Sequence, residues 1–177
     1  IGSLAKYGQE NNLEVVIVSG DKDFAQLIND KVTMYDSMKD VTYDVPGVMD
    51  KWGVRPDQFI DYLAITGDAS DNIPGVKGIG PKGAQKLLGQ FETLDGIYEN
   101  ISLIKGASQI KKLEESREKA YLSQKLVEIV KDLDLVTGLG DVSLKPINNE
   151  KLEEVLDELE FSSFKKNLLG GATKTQK

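Results

Sequence analysis

The chain has 177 residues, 40% of them hydrophobic and 29% charged, and a net charge of −7, the mixture of an ordinary globular chain with one core. It contains neither cysteine nor histidine, which excludes disulfides, zinc sites of the Cys/His kind, cysteine nucleophiles and every histidine-based triad. Catalysis would fall to carboxylates, lysines, hydroxyls or bound hard metals. No stretch approaches the roughly 20 apolar residues that span a bilayer and nothing at the start reads as a signal peptide, so a cytoplasmic protein without a membrane partner is expected.

In chain order, Ile1, Leu4 and Ala5 share one helical face, which predicts a helix over residues 1–9 that opens in mid-pattern, as in an excerpt of a longer chain. After a loop at Asn11 and Asn12 comes LEVVIVSG, an apolar, β-branched run suited to a parallel strand covered on both faces. Phe24, Leu27 and Ile28 return to helical spacing, and KVTMYDS reads as a second strand. This alternation predicts an α/β sheet. Pro46 and Pro56 stand where first helical turns favour proline, ahead of GVMDKW and DQFIDYLAIT. Trp52 reads as core, Tyr43 is open, and Asp61 reads as part of a solvated helix face. Helices dominate the remainder of the chain, including a long amphipathic stretch over 107–129, and GGATKTQK closes it as a linker-like tail.

Two acidic pairs stand out. Asp21 and Asp23 follow the apolar strand directly, and ligands of open α/β sheets gather beyond the carboxyl ends of strands. Asp68 and Asp71 are three apart, so a helical turn begun there would aim both carboxylates to one side. Converging carboxylates repel unless a cation neutralises them, and Mg²⁺ favours a few carboxylates plus waters. Each aspartate taken alone is more readily a turn former or helix cap; the combination favours a metal site.

Residues 72–91 then carry Lys77, Lys82 and Lys86 and no acid, a basic island on an acidic chain. PGVKGIGPKGAQKLL has the form of a helix-hairpin-helix, with Gly75, Val76, Lys77, Gly78, Ile79 and Gly80 forming the turn and Pro81 opening the next helix. Glycines admit a phosphate close to the backbone, and amides at a helix start bind anions. Such a device grips nucleic-acid backbone without reading bases. Lys77 and Lys82 would add charge there.

SGDKDFAQLI together with AITGDASDNIPGVKGIGPKGAQKLL resembles the 5′ nuclease domain of bacterial DNA polymerase I, within the flap endonuclease superfamily. The resemblance implies a PIN-like, mostly parallel sheet followed by a helix-hairpin-helix region, divided as nuclease core 1–66, hairpin region 67–138 and closing segment 139–177. It implies a two-ion Mg²⁺ or Mn²⁺ site with Asp21, Asp23, Asp68 and Asp71 among the ligands. A potassium ion would sit on the Val76 and Ile79 carbonyls, and DNA with 5′ flaps, nicks or duplex ends would lie on the hairpin. The helix carrying Lys111, Lys112, Arg117, Lys119 and Lys125 would touch backbone more weakly. A polymerase domain on the same polypeptide is implied as well. The family's remaining carboxylates and its catalytic lysine and arginine would lie upstream of Ile1, so the excerpt alone is expected to be inactive. Two other readings stand: a non-enzymatic DNA-binding module whose aspartates are caps, and a haloacid-dehalogenase-like phosphatase on the strength of GDASDN. The second has no use for a basic hairpin.

Overall fold

The computed structural model describes residues 1–135 and 138–169, in two compact units divided after Leu135. The tail read from GGATKTQK lies outside the described residues. The first unit opens with α1 (Gly2–Glu10) and β1 (Val15–Val18), followed by a 3₁₀ turn at Lys22–Leu27, β2 (Val32–Asp36) and β3 (Val41–Tyr43). β1 and β2 run parallel, with Val15 opposite Val32, whereas β2 and β3 are antiparallel, with Met34 opposite Tyr43.

The small sheet departs from expectation in two ways. One of its two pairings is antiparallel, through a β3 that three mixed residues did not announce, so it is a mixed sheet. β1 buries only Ile17 and leaves Val16 and Val18 60% and 65% exposed, so it is covered on one face. Its β-branched run reports strand propensity, which does not distinguish one covered face from two.

Helices form the rest of this unit. Asp44 caps α2 (Val45–Trp52) by accepting from the Gly47 amide at 2.8 Å, with Pro46 in the first turn, and left-handed Gly53 ends it. Pro56 opens a 3₁₀ turn that runs into α3 (Phe59–Thr66). Phe59, Leu63, Ala64 and Ile65 are wholly buried, so α3 is the pillar of the unit. Around it pack α4 (Pro81–Phe91), α5 (Leu94–Glu99) and α7 (Arg117–Val127). Trp52 belongs to the core, edge-on to Phe59 with ring centres 5.1 Å apart, and the Tyr43 ring centre lies 5.4 Å from its own.

The long helix predicted over 107–129 is two helices, α6 (Ala107–Glu115) and α7. Ser116 divides them: its amide closes α6 on the Lys112 and Leu113 carbonyls, and its own carbonyl accepts the Ala120 amide at 2.9 Å. Leu113, Ala120 and Ser123 are all buried, on the single apolar stripe that the spacing over 107–129 implied, although the helix is interrupted.

The second unit contains α8 (Asn149–Glu158) and α9 (Ser162–Leu169). Asn148 caps α8 through the Lys151 amide, and Lys165 joins the helices by ion pairs to Glu153 at 2.9 Å and Asp157 at 2.8 Å. No helix among the described residues is long and apolar enough to cross a membrane.

Candidate metal centre and nucleic-acid interface

The acidic residues come together from two loops. Beyond β1, the Asp21 side chain accepts the Asp23 amide at 3.0 Å and so caps the 3₁₀ turn Lys22–Leu27. Gln26 anchors the far side of that turn, donating to the Val127 carbonyl and accepting from the Ile129 amide, both at 2.9 Å. Asp23 is thereby aimed at the end of α3.

There the chain leaves the helix at Gly67 and makes a loop closed by paired bonds between Asp68 and Ile73, at 3.0 and 2.7 Å. Asp68 and Asp71 lie on this turn and not on a helix, because the Asp68 carboxylate accepts the Ser70 amide at 2.9 Å and holds the chain in a local turn. The loop still brings them to one place. Carboxylate oxygens of Asp23, Asp68 and Asp71 lie within 4.8 Å of one another. Asp21 lies outside this trio and occupies its capping position on the rim.

Lys22 is the residue that reading the chain missed. Its ammonium is hydrogen-bonded to Asp68 and stands 3.7 Å from Asp23. The Lys22 bond, aided by the Ser70 amide, holds the Asp68 carboxyl below its ordinary range. Burial, reinforced by the charges of Asp21, Asp68 and Asp71, pushes Asp23 above it in spite of Lys22. Oδ1 of Asp23 is buried without a hydrogen bond. An orphaned carboxylate oxygen beside two further carboxylates suits a hard divalent cation with oxygen preference, so the residues present fit such an ion. The only signal for Lys22 was its position between Asp21 and Asp23.

The basic turn is built directly onto this loop. Gly75 meets Gly67 so closely that a Cβ on Gly75 would lie 2.4 Å from the Gly67 nitrogen, and both have positive φ. The close approach lets the Val76 amide bond the Ile65 carbonyl at 2.8 Å, while buried Ser123 of α7 accepts the Gly75 amide at 3.1 Å. Val76 and Ile79 bury their side chains as anchors, and Lys77, Gly78, Gly80 and Lys82 are exposed. Lys112 of α6 donates to the Gly78 carbonyl at 3.0 Å. Gly78, Gly80 and Gly83 then face Gly106, Ser108 and Lys112 across a cleft of about 390 Å³. The Val76 carbonyl accepts the Ile79 amide at 3.1 Å. Ser123 and Lys112 are remote in sequence from the glycines they touch, and nothing local announces them.

An α/β unit with carboxylates gathered beyond a parallel strand, continued by helices that present a glycine-rich basic turn, is matched over both parts of the chain. Residues 1–53 match the 5′-3′ exonuclease, N-terminal resolvase-like domain, and residues 54–150 match the 5′-3′ exonuclease, C-terminal SAM fold. The chain belongs to the 5′-3′ exonuclease family. It is 44% identical over 174 residues to a DNA polymerase I of Caldicellulosiruptor bescii, a match covering 95% of this chain and 20% of that protein. It thus spans about a fifth of the length of the curated relatives it matches. T5 5′-exonuclease with bound divalent metal ions, zinc, superposes with a TM-score of 0.64 at 28% identity, over 71% of this chain and 48% of that one. A T5 flap endonuclease in a pseudo-enzyme-product complex with DNA and metal ions gives 0.63 at 27% identity, over 70% and 47%.

Proposed function

We propose that this chain is part of a divalent-metal-dependent 5′ to 3′ exonuclease and flap endonuclease that hydrolyses phosphodiester bonds in DNA. The observation that carries the reading is the trio Asp23, Asp68 and Asp71 set one short loop away from the exposed glycine-rich turn. Asp23, Asp68 and Asp71 would hold Mg²⁺ or Mn²⁺, with Asp21 capping the turn that positions them. When bound, such ions activate water and stabilise the departing oxygen of a phosphodiester.

Residues of the chain itself do the rest. Lys22 neutralises the acids and must give up part of its contact with Asp68 to admit a cation. Lys77, Gly78 and Gly80, exposed just before α4, would present their backbone amides, and the Lys77 and Lys82 side chains add charge, so the turn grips phosphate without regard to sequence. Lys112 supports the turn from behind by its bond to Gly78; a potassium ion on the Val76 and Ile79 carbonyls would be a second cation on the same turn. The functional division is the nuclease core 1–66, the DNA-gripping region 67–138 and a closing segment 139–177. DNA with 5′ flaps, nicks or ends is the substrate, and a polymerase domain on the same polypeptide is a further partner.

Three carboxylates serve one divalent ion better than the two that a two-ion site demands. The 177-residue chain alone should therefore cut at most in trace. The longer polypeptide carrying it should release short 5′ products from a labelled flap duplex with Mg²⁺ or Mn²⁺. In that polypeptide, Asp68→Ala and Asp71→Ala should remove or sharply slow cleavage while flap binding in Ca²⁺ survives. Undiminished cleavage with both aspartates replaced would overturn the metal site, and DNA binding lost together with cleavage would leave the turn without its independent role.

A further inference from the structure

A cavity of about 550 Å³ opens beside the carboxylates. Asp21, Lys22, Ser70 and Asp71 line it together with Lys39, Lys51 and Trp52. Lys39 is committed, since its ammonium pairs with buried Asp36 at 2.5 Å. Lys51 is different. Its ammonium lies 4.1 Å from the centre of the Tyr43 ring and 4.4 Å from that of Trp52, and donates to the Tyr43 hydroxyl at 2.5 Å. No carboxylate pairs with it among the described residues. Two core aromatics therefore hold an uncompensated ammonium in a fixed place, on a cavity that Asp21 and Asp71 also line and that is large enough for a ligand.

We propose that this cavity is a phosphate subsite for the DNA strand, in which Lys51 binds a backbone phosphate next to the one presented to Asp23, Asp68 and Asp71. The inference rests on the nuclease reading above. A strand laid in the cavity would present one phosphate to cations held by the carboxylates and its neighbour to Lys51, so each group meets its opposite charge. Aromatic support spares part of the ordering entropy that a free lysine loses on gripping a phosphate. The contact is to backbone, so it positions the strand and carries no sequence preference.

The test uses the longer polypeptide and a labelled 5′-flap duplex. Lys51→Met keeps the apolar stem over Tyr43 and Trp52 and removes only the charge; Lys51→Arg keeps both. Lys51→Met should bind the flap several-fold more weakly in Ca²⁺, equally for unrelated sequences, and its slope of log affinity against log salt should be shallower by about 1. Lys51→Arg should restore both values. A lysine that only packs against the rings would shift the thermal midpoint and leave the salt slope alone; that result, with wild-type cleavage intact, overturns the subsite and spares the nuclease reading. A wild-type polypeptide that neither binds nor cuts the flap overturns both.

Discussion

Asp61 shows how one side chain's role depends on what folds over it. Its helical position suggested a solvated acid, yet it is 8% exposed. One carboxylate oxygen accepts the Leu94 amide at 2.9 Å and the other accepts the Gln124 amide at 2.6 Å, so Asp61 ties α3 to the start of α5 and to α7. Asp61→Ala would strand a buried amide and the Gln124 side chain without an acceptor, at a cost of about 1–3 kcal/mol for a buried group left unsatisfied. Calorimetry or denaturant unfolding should show a thermal midpoint several degrees lower with binding chemistry intact; an unchanged midpoint would mean that solvent replaces the carboxylate. Asp36, at the end of β2, gives a companion test in pH. It is 1% exposed, bonded to the Lys39 ammonium and to the Met38 and Lys39 amides. The Lys39 bond, with those amides, holds its carboxyl below the ordinary range. A depressed carboxyl contributes stability that is present above its unfolded pKa, roughly 3.9, and is lost as pH falls through the folded value. Asp36→Asn should therefore lower stability at neutral pH and flatten the loss of stability between about pH 4 and the folded pKa. Parallel acid curves for the two proteins would refute the linkage.

At the scale of elements, the glycine-rich turn has two kinds of glycine. Gly75 is interior: its positive φ and its contact with Gly67 leave no room for a Cβ. Gly80 has φ −95, and a Cβ there meets nothing within 4 Å. Gly75→Ala should damage folding itself, read as a large drop in thermal midpoint. Gly80→Val should cost only about 1 kcal/mol at the helix start and weaken DNA binding far more, because its side chain stands where phosphate would approach. Equal DNA affinity in a folded Gly80→Val variant would remove this part of the turn from the contact surface. Gly78 falls between them, since φ +82 strains any other residue while the neighbour it would meet, at 3.1 Å, is the flexible end of Lys112.

For the whole molecule, the carboxylates and the basic turn are consecutive along the chain but are held by residues scattered through it. Gln26 fastens the Asp23 turn to Val127 and Ile129, and Ser123 fastens Gly75 to α7. The helix most remote in sequence from the acids within the first unit thus supports both halves of the site. This division separates what could be read from what could not. The acids, the glycines with their lysines, the proline-marked helix starts and the alternation into α/β were legible because each is a local signal: a residue type fits a turn, a cap or a period wherever it stands. Asp68 and Asp71 were legible as a pair even though the turn that unites them is not helical, because a short loop keeps near neighbours together in either form. The convergence of Asp23 with that pair was an expectation that contacts between distant segments had to realise. The insertion of Lys22 between Asp68 and Asp23 and the burial of Asp61 were decided by tertiary structure alone. Each depends on which surface packs against which, and packing is set by pairs of residues far apart in the chain, whose meeting no local period or spacing encodes.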